Sequence, residues 1–130
     1  MILDTSFIID LMKEDSSAVG KLKELEESKI SQNIAAPTLY ELYVGITVSS
    51  KPEHEKERVM DALTSVRILG LDGKSAAKAG EVQGALIKAG KMIDPEDAMI
   101  AGIALLYNEV VLTRNEEHFS RVPGLKLERY

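Results

Sequence analysis

The chain has no cysteine, no tryptophan and only two histidines, His54 and His118, in 130 residues. Without thiols there is no disulfide, no thiolate zinc or iron–sulfur site and no cysteine nucleophile, and two distant histidines leave little for a histidine-rich metal site or a triad. Positive charge is also scarce: 16 Lys and Arg stand against 21 Asp and Glu, a net charge of −5. That balance excludes a protein that coats nucleic acid by general positive potential. A local basic patch or a bound divalent cation can still engage phosphates. No run reaches the roughly 18 uncharged apolar residues of a membrane span, and Met1-Ile2-Leu3-Asp4 carries no basic leader, so the expected setting is cytoplasmic, with no membrane contact.

What is present is enough for a core. Hydrophobic residues make up 45% of the chain, and no repeat, low-complexity tract or glycine- and proline-rich linker interrupts it, so residues 1–130 are expected to form one domain. Short apolar runs at residues 1–4, 33–36, 66–71, 110–113 and 125–128 alternate mostly with longer segments of helical spacing. This alternation predicts an α/β fold with a parallel sheet flanked by helices. A charged helix over 16–29 carries Val19, Leu22 and Leu25. The segment 38–49 is apolar nearly all round, through Leu39, Leu42, Tyr43 and Ile46 with Tyr40, Val44 and Val48 beside them, and is expected to be largely buried. A polar helix over 52–65 offers Val59, Met60 and Leu63 as its inner face. The helix over 74–89 is rich in small residues that permit close approach, and Gly90 is its expected cap. Asp94-Pro95-Glu96-Asp97 then reads as a helix start, with Asp94 at the N-cap, Pro95 first and an acid three residues after the cap.

Charge falls where the pattern wants apolar residues. From residue 34 to 50 the only charged side chain is Glu41, and from 97 to 107 the only one is Asp97. A solvated face would carry several charges of both signs, whereas a lone carboxylate in an apolar segment calls for a specific partner. Asp97 shares its helix face with Ile100, Ala101 and Ala104, and Asp4 ends the first apolar run, at the edge where open parallel sheets place ligands. If the three converge, each pair of charges about 4 Å apart costs on the order of 4 kcal/mol at an effective dielectric near 20. No Lys or Arg lies within either segment, so Mg²⁺ or Mn²⁺ is the economical counter-charge, able to activate water and neutralise phosphate oxygens. Competing roles are capping for Asp4 and Asp97. Asp94 reads mainly as an N-cap and Asp10 as a partly exposed helix residue, both open as outer ligands, and His118 reads as part of a packing turn.

Four stretches carry a resemblance: Ile2-Leu3-Asp4-Thr5-Ser6-Phe7-Ile8-Ile9-Asp10, Thr38-Leu39-Tyr40-Glu41-Leu42-Tyr43-Val44-Gly45, Asp97-Ala98-Met99-Ile100-Ala101, and Leu112-Thr113-Arg114-Asn115-Glu116-Glu117-His118-Phe119 with Val122-Pro123-Gly124-Leu125. In order and spacing the first three resemble the PIN-domain family, and the last resembles its VapC-type toxin branch. The resemblance implies a three-layer α/β/α sandwich around a parallel sheet of about five strands. It also implies an Mg²⁺- or Mn²⁺-dependent ribonuclease that leaves a 3′-hydroxyl and a 5′-phosphate. Its catalytic and metal-holding acids map onto Asp4, Glu41 and Asp97, with Thr5 or Ser6 and Thr113 in support. Where the fuller pattern has a fourth acid this chain has Asn115, with Glu116 one residue along as a possible substitute, which puts a second metal in doubt. Arg114 is a candidate phosphate contact. The implied partners are an RNA substrate, a small antitoxin protein covering an apolar groove, and a second copy of the chain in a homodimer.

Two other phosphate chemistries fit poorly. A phosphoacceptor domain needs a lysine after a late strand, where Thr113-Arg114 stands, and a haloacid-dehalogenase-like phosphatase needs an Asp in place of Ser6. The remaining rival is a catalytically weak or inactive module of the same fold that binds RNA or a protein. The neutral Asn115 favours it, and the three retained acids favour the enzyme.

Overall fold

The computed structural model describes residues 1–130 throughout. Five short strands, β1 (Ile2–Leu3), β2 (Asn33–Ala35), β3 (Arg67–Leu69), β4 (Val110–Leu112) and β5 (Lys126–Glu128), pair in the order β3-β2-β1-β4-β5, every pair parallel. Parallel pairing requires crossovers. Seven helices provide them: α1 (Thr5–Met12), α2 (Ser16–Glu27), α3 (Ala36–Val48), α4 (Pro52–Ala62), α5 (Gly73–Lys88), α6 (Pro95–Leu106) and α7 (Glu116–Phe119). No helix is long and apolar enough to cross a membrane.

The two-residue period of the strands divides the core in two. Ile2, Ala35 and Val111 face one layer, against Leu86, Ile100, Ile103 and Phe119 of α5, α6 and α7. Leu3, Ile34 and Leu112 face the other, against Phe7, Ile8, Leu25, Leu42 and Val59 of α1 to α4. The result is the expected α/β/α sandwich. Small residues let α5 and α6 touch backbone to backbone, since a Cβ at Gly102 would meet the Ala79 backbone nitrogen at 2.7 Å and its Cα at 2.8 Å.

Helix ends divide into those with a sequence signature and those without. Asp72 and Ser75 form a reciprocal capping box on α5, and Asp15 caps α2 by accepting from the Ala18 N–H at 3.0 Å. Gly90 closes α5 at φ +68°, as expected. Glu14, Lys29, Ser65 and Asn108 take the same left-handed turn after α1, α2, α4 and α6, with no glycine to announce it.

The largest departure from expectation is α3. Only Pro37, Thr38, Leu42 and Ile46 are buried, while Tyr40, Tyr43 and Val44 are exposed and Val48 is 78% exposed. A helix in an outer layer buries a single stripe against the sheet and its neighbours, so apolar residues beyond that stripe stay in water. Met60 of α4 likewise faces outward, and Val59 alone is buried there.

The chain runs from β1 outward to β2 and β3, then returns past β1 to β4 and β5. Strand order therefore reverses between β1 and β4. The crevice beyond the carboxyl ends of those two strands is the ligand position of an open α/β sheet. Asp4 follows β1 and Thr113 follows β4.

Candidate active site

Asp4 leaves β1 and enters α1 almost fully buried, although its side chain makes no cap bond. Its Oδ2 accepts two hydroxyl hydrogen bonds, from Thr113 Oγ1 at 2.8 Å across the strand-order reversal and from Ser6 Oγ at 2.9 Å. Thr113 is itself fixed, because its Oγ1 accepts from the Asn115 N–H at 3.0 Å. Glu41 comes from the second turn of α3, half-buried, and its Oε1 accepts from Thr5 Oγ1 at 3.0 Å. Fully buried Thr38 lies 3.1 Å from the same Thr5 hydroxyl and completes a chain of hydroxyls linking α1 to α3.

Asp97 enters from the first turn of α6. No reciprocal capping box forms there: Asp94 occupies the N-cap backbone position without a side-chain cap bond, and Asp97 turns to His118 instead. His118 Nδ1 lies 2.7 Å from Asp97 Oδ2 and 3.7 Å from Asp94 Oδ2. With Asp97 ionised the carboxylate only accepts, which assigns the proton to Nδ1. The expected packing turn at His118 is thus also a contact to the site. Its neighbour Phe119 supplies the packing, and the histidine is held by α7 against α6.

Electrostatics tie the three acids together. Burial raises the Glu41 carboxyl above the ordinary carboxylate range, the Thr5 hydrogen bond opposes the rise, and the charges of Asp4 and Asp97 add to it. Burial also raises Asp97, with the His118 hydrogen bond opposing and Asp4 adding. The tightest group of metal-ligand atoms is nevertheless Asp94, Asp97 and His118, all within 4.8 Å of one another, and Asp4 and Glu41 stand back from it.

Both raised carboxyls bind protons more tightly folded than unfolded, so their contribution to stability is fully present below the ordinary carboxylate range. It is lost as pH rises through the raised folded values. In chelator-containing buffer, the fall in Tm as pH rises out of the carboxylate range is expected to be smaller in Glu41→Gln than in wild type. An unchanged fall in Glu41→Gln would remove Glu41 from the coupled set.

Other anticipated residues find different neighbours. Asp10 is buried rather than partly exposed, accepting from Tyr130 OH at 2.7 Å and pairing with Arg114 at 2.8 Å, because the end of the chain folds back over α1 with Phe7 and Tyr130 edge to face. Arg114 therefore has one nitrogen committed, while most of its side chain stays exposed. Glu116 pairs with Arg129 at 3.4 Å. Asn115 sits exposed at the N-cap of α7 with no side-chain cap bond. Thr38 and His118 lay outside the anticipated site set, although both stand within the stretches that carry the resemblance.

Comparison with known proteins decides the lineage. The chain matches the PIN domain family over residues 1–125. It belongs to that family. The PIN domain is 30% identical to the tRNA(fMet)-specific endonuclease VapC of Shigella flexneri over 127 residues, 98% of this chain and 95% of that protein. Among solved structures, VapBC2 from Rickettsia felis bound to a promoter DNA fragment superposes with a TM-score of 0.91 at 27% identity, covering 99% of this chain and 97% of that one. DNA-bound VapBC from Salmonella typhimurium gives 0.89 at 29% identity, covering 98% and 96%. Similarity at this coverage extends to every element that carries Asp4, Glu41, Asp97 and Thr113, so the crevice of this PIN domain stands in the same frame as theirs.

Proposed function

We propose that this PIN domain is a divalent-cation-dependent endoribonuclease that hydrolyses RNA phosphodiester bonds as the toxin of a type II toxin–antitoxin pair. One observation carries the reading: Asp4, Glu41 and Asp97 each commit one carboxylate oxygen to a fixed donor and leave the other without one. These three solvent-accessible oxygens, contributed by distant segments, are hard donors that suit Mg²⁺ or Mn²⁺ rather than soft-ligand metals. Their looseness fits as well, since Mg²⁺ keeps several waters and takes only one or two carboxylates directly. When bound, such a cation neutralises phosphate oxygens and makes water a competent nucleophile near neutral pH.

The protein's own contribution is orientation. Ser6 and Thr113 set Asp4, Thr5 sets Glu41, and His118 sets Asp97, as partners outside the ligand shell generally do. Arg114, steadied by Asp10, offers its remaining N–H groups to a phosphate of the substrate. Cleavage then leaves a 3′-hydroxyl and a 5′-phosphate. A groove of about 680 Å³ between α1, α2 and α4, with Leu11, Met12, Val19 and Leu22 in its wall, suits the amphipathic helix of a small antitoxin. The exposed band of Tyr40, Tyr43, Val44 and Val48 suits a second copy in a homodimer. The relatives named as VapC ribonucleases and solved as VapBC complexes support both the activity and the antitoxin.

The test is incubation of the purified chain with structured and unstructured RNAs in Mg²⁺, in Mn²⁺ and in chelator. Cleavage is expected with either metal and none in chelator. RNA bound but left intact with both metals would favour the second reading, a binding module, to which the neutral Asn115 points.

A further inference from the structure

Asp10 is a buried acid that the cation site leaves unused, only 3% exposed. It stands one turn after Phe7 on the inward face of α1, where the helix pattern calls for an apolar residue. An ion pair buried there adds little stability over apolar packing, so stability alone does not account for the carboxylate. Its geometry does. A single oxygen, Oδ2, accepts from Tyr130 OH at 2.7 Å and meets Arg114 Nη1 at 2.8 Å. The Tyr130 ring is set edge to face on Phe7, with centroids 4.8 Å apart. Burial, and then the hydrogen bond to Asp10, raise its phenol above the ordinary tyrosine value, so it stays a donor. The Arg114 backbone is pinned on both sides, because Thr113 donates its N–H to the Glu128 carbonyl and Asn115 donates its own to Thr113 Oγ1. Only the long side chain is left to be aimed, and Asp10 aims it while 60% of it stays open to solvent.

We propose that Asp10 and Tyr130 are positioning residues, which together hold the Arg114 guanidinium toward an RNA phosphate next to the scissile one. The inference rests on the ribonuclease reading, in which Arg114 meets a phosphate, and adds the pair that aims it. Asp10 lies six residues beyond Asp4, about 9 Å along α1 at 1.5 Å per residue, so the guanidinium it anchors is set off from the carboxylates. Arginine presents its N–H groups in one rigid plane, and anchoring one nitrogen fixes the direction of the other two. An unanchored arginine loses rotamer freedom on meeting a phosphate, whereas one already held loses less and binds more tightly. Tyr130 orients the anchor in turn. Without its hydroxyl the Asp10 carboxylate can turn, and the arginine turns with it.

The experiment is a double-mutant cycle on Tyr130→Phe and Arg114→Ala, at a temperature where every variant is folded. It reads KM and kcat on a short unstructured RNA in Mg²⁺, affinity for the same RNA in chelator, and Mn²⁺ binding by electron paramagnetic resonance. Tyr130→Phe keeps the ring on Phe7 and removes one hydroxyl. It is expected to raise KM about three- to tenfold, the range of one hydrogen bond, with kcat and Mn²⁺ affinity close to wild type. Arg114→Ala should raise KM at least as far and make the slope of log KM against log salt shallower by about one. In the Arg114→Ala background Tyr130→Phe should cost nothing further. Arg114→Lys should restore the salt slope but not KM, since an ammonium has no planar fork to share between Asp10 and a phosphate. A Tyr130→Phe loss that persists in full without Arg114 would make Tyr130 merely structural and overturn the proposal. Unchanged KM in either single variant would overturn it too, while leaving the nuclease standing. RNA bound but left intact by wild type would remove the nuclease reading alone, and the affinities in chelator would then have to show the same pattern.

Discussion

Replacing Asp97 by asparagine is expected to lower kcat/KM for RNA about a thousandfold without unfolding the protein. The several kcal/mol with which a bound cation stabilises phosphoryl charge correspond to roughly that factor, and Asn offers no anionic oxygen to hold it. Asp97 is half-buried beside Asp4 with its carboxyl raised by desolvation, so a neutral isostere relieves an unfavourable charge in cation-free buffer. The two effects separate in one experiment. Without metal the melt of Asp97→Asn should lie at or above wild type, and the rise in Tm that saturating Mg²⁺ gives wild type should be missing. His118→Gln should lose about 10- to 100-fold, because a partner behind a ligand sets its orientation and not its charge. Equal activity in wild type and Asp97→Asn would place the chemistry elsewhere.

Adding a single methyl group at Gly102 is expected to cost about 3 kcal/mol, the upper end of typical overpacking penalties. Elsewhere a glycine-to-alanine change within a helix is favourable. At Gly102 the new carbon would lie 2.7 to 2.8 Å from backbone atoms of Ala79, and backbone cannot rotate out of the way as a side-chain tip can. Helices α5 and α6 would have to separate, opening the core around Ile100 and Ile103 and displacing Asp97 at the head of α6. The Tm should fall by roughly 10 °C for a domain of this size, and Mn²⁺ affinity should fall with it. A melt indistinguishable from wild type would mean that the two helices are not in contact at this point.

Much of the architecture could be read from periodicity. Five apolar runs became five parallel strands, each trimmed by one or more residues, because short buried strands between helices have few ways to be assembled. The small residues of α5 did mark the closest helix contact. Asp4, Glu41 and Asp97 were legible because a lone charge in an apolar segment is costly and therefore informative. Less was visible in α3, whose composition suggested burial that the layer geometry does not provide. The left-handed turns at Glu14, Lys29, Ser65 and Asn108 were invisible too, because the residues there have no special claim to that conformation.

The sequence by itself determined the elements and the parallel sheet, since these follow from local spacing, and it singled out three acids through the cost of burying charge. Only the tertiary structure decided which partner each polar group takes. It sent Asp97 to His118 rather than into a capping box, Arg114 and Tyr130 to a buried Asp10, and Glu116 to Arg129. Those pairings join residues between 13 and 120 positions apart. The physical reason is that hydrogen bonds and ion pairs act over a few ångströms, and the chain folds such distant groups to that range only once both layers have closed on the sheet.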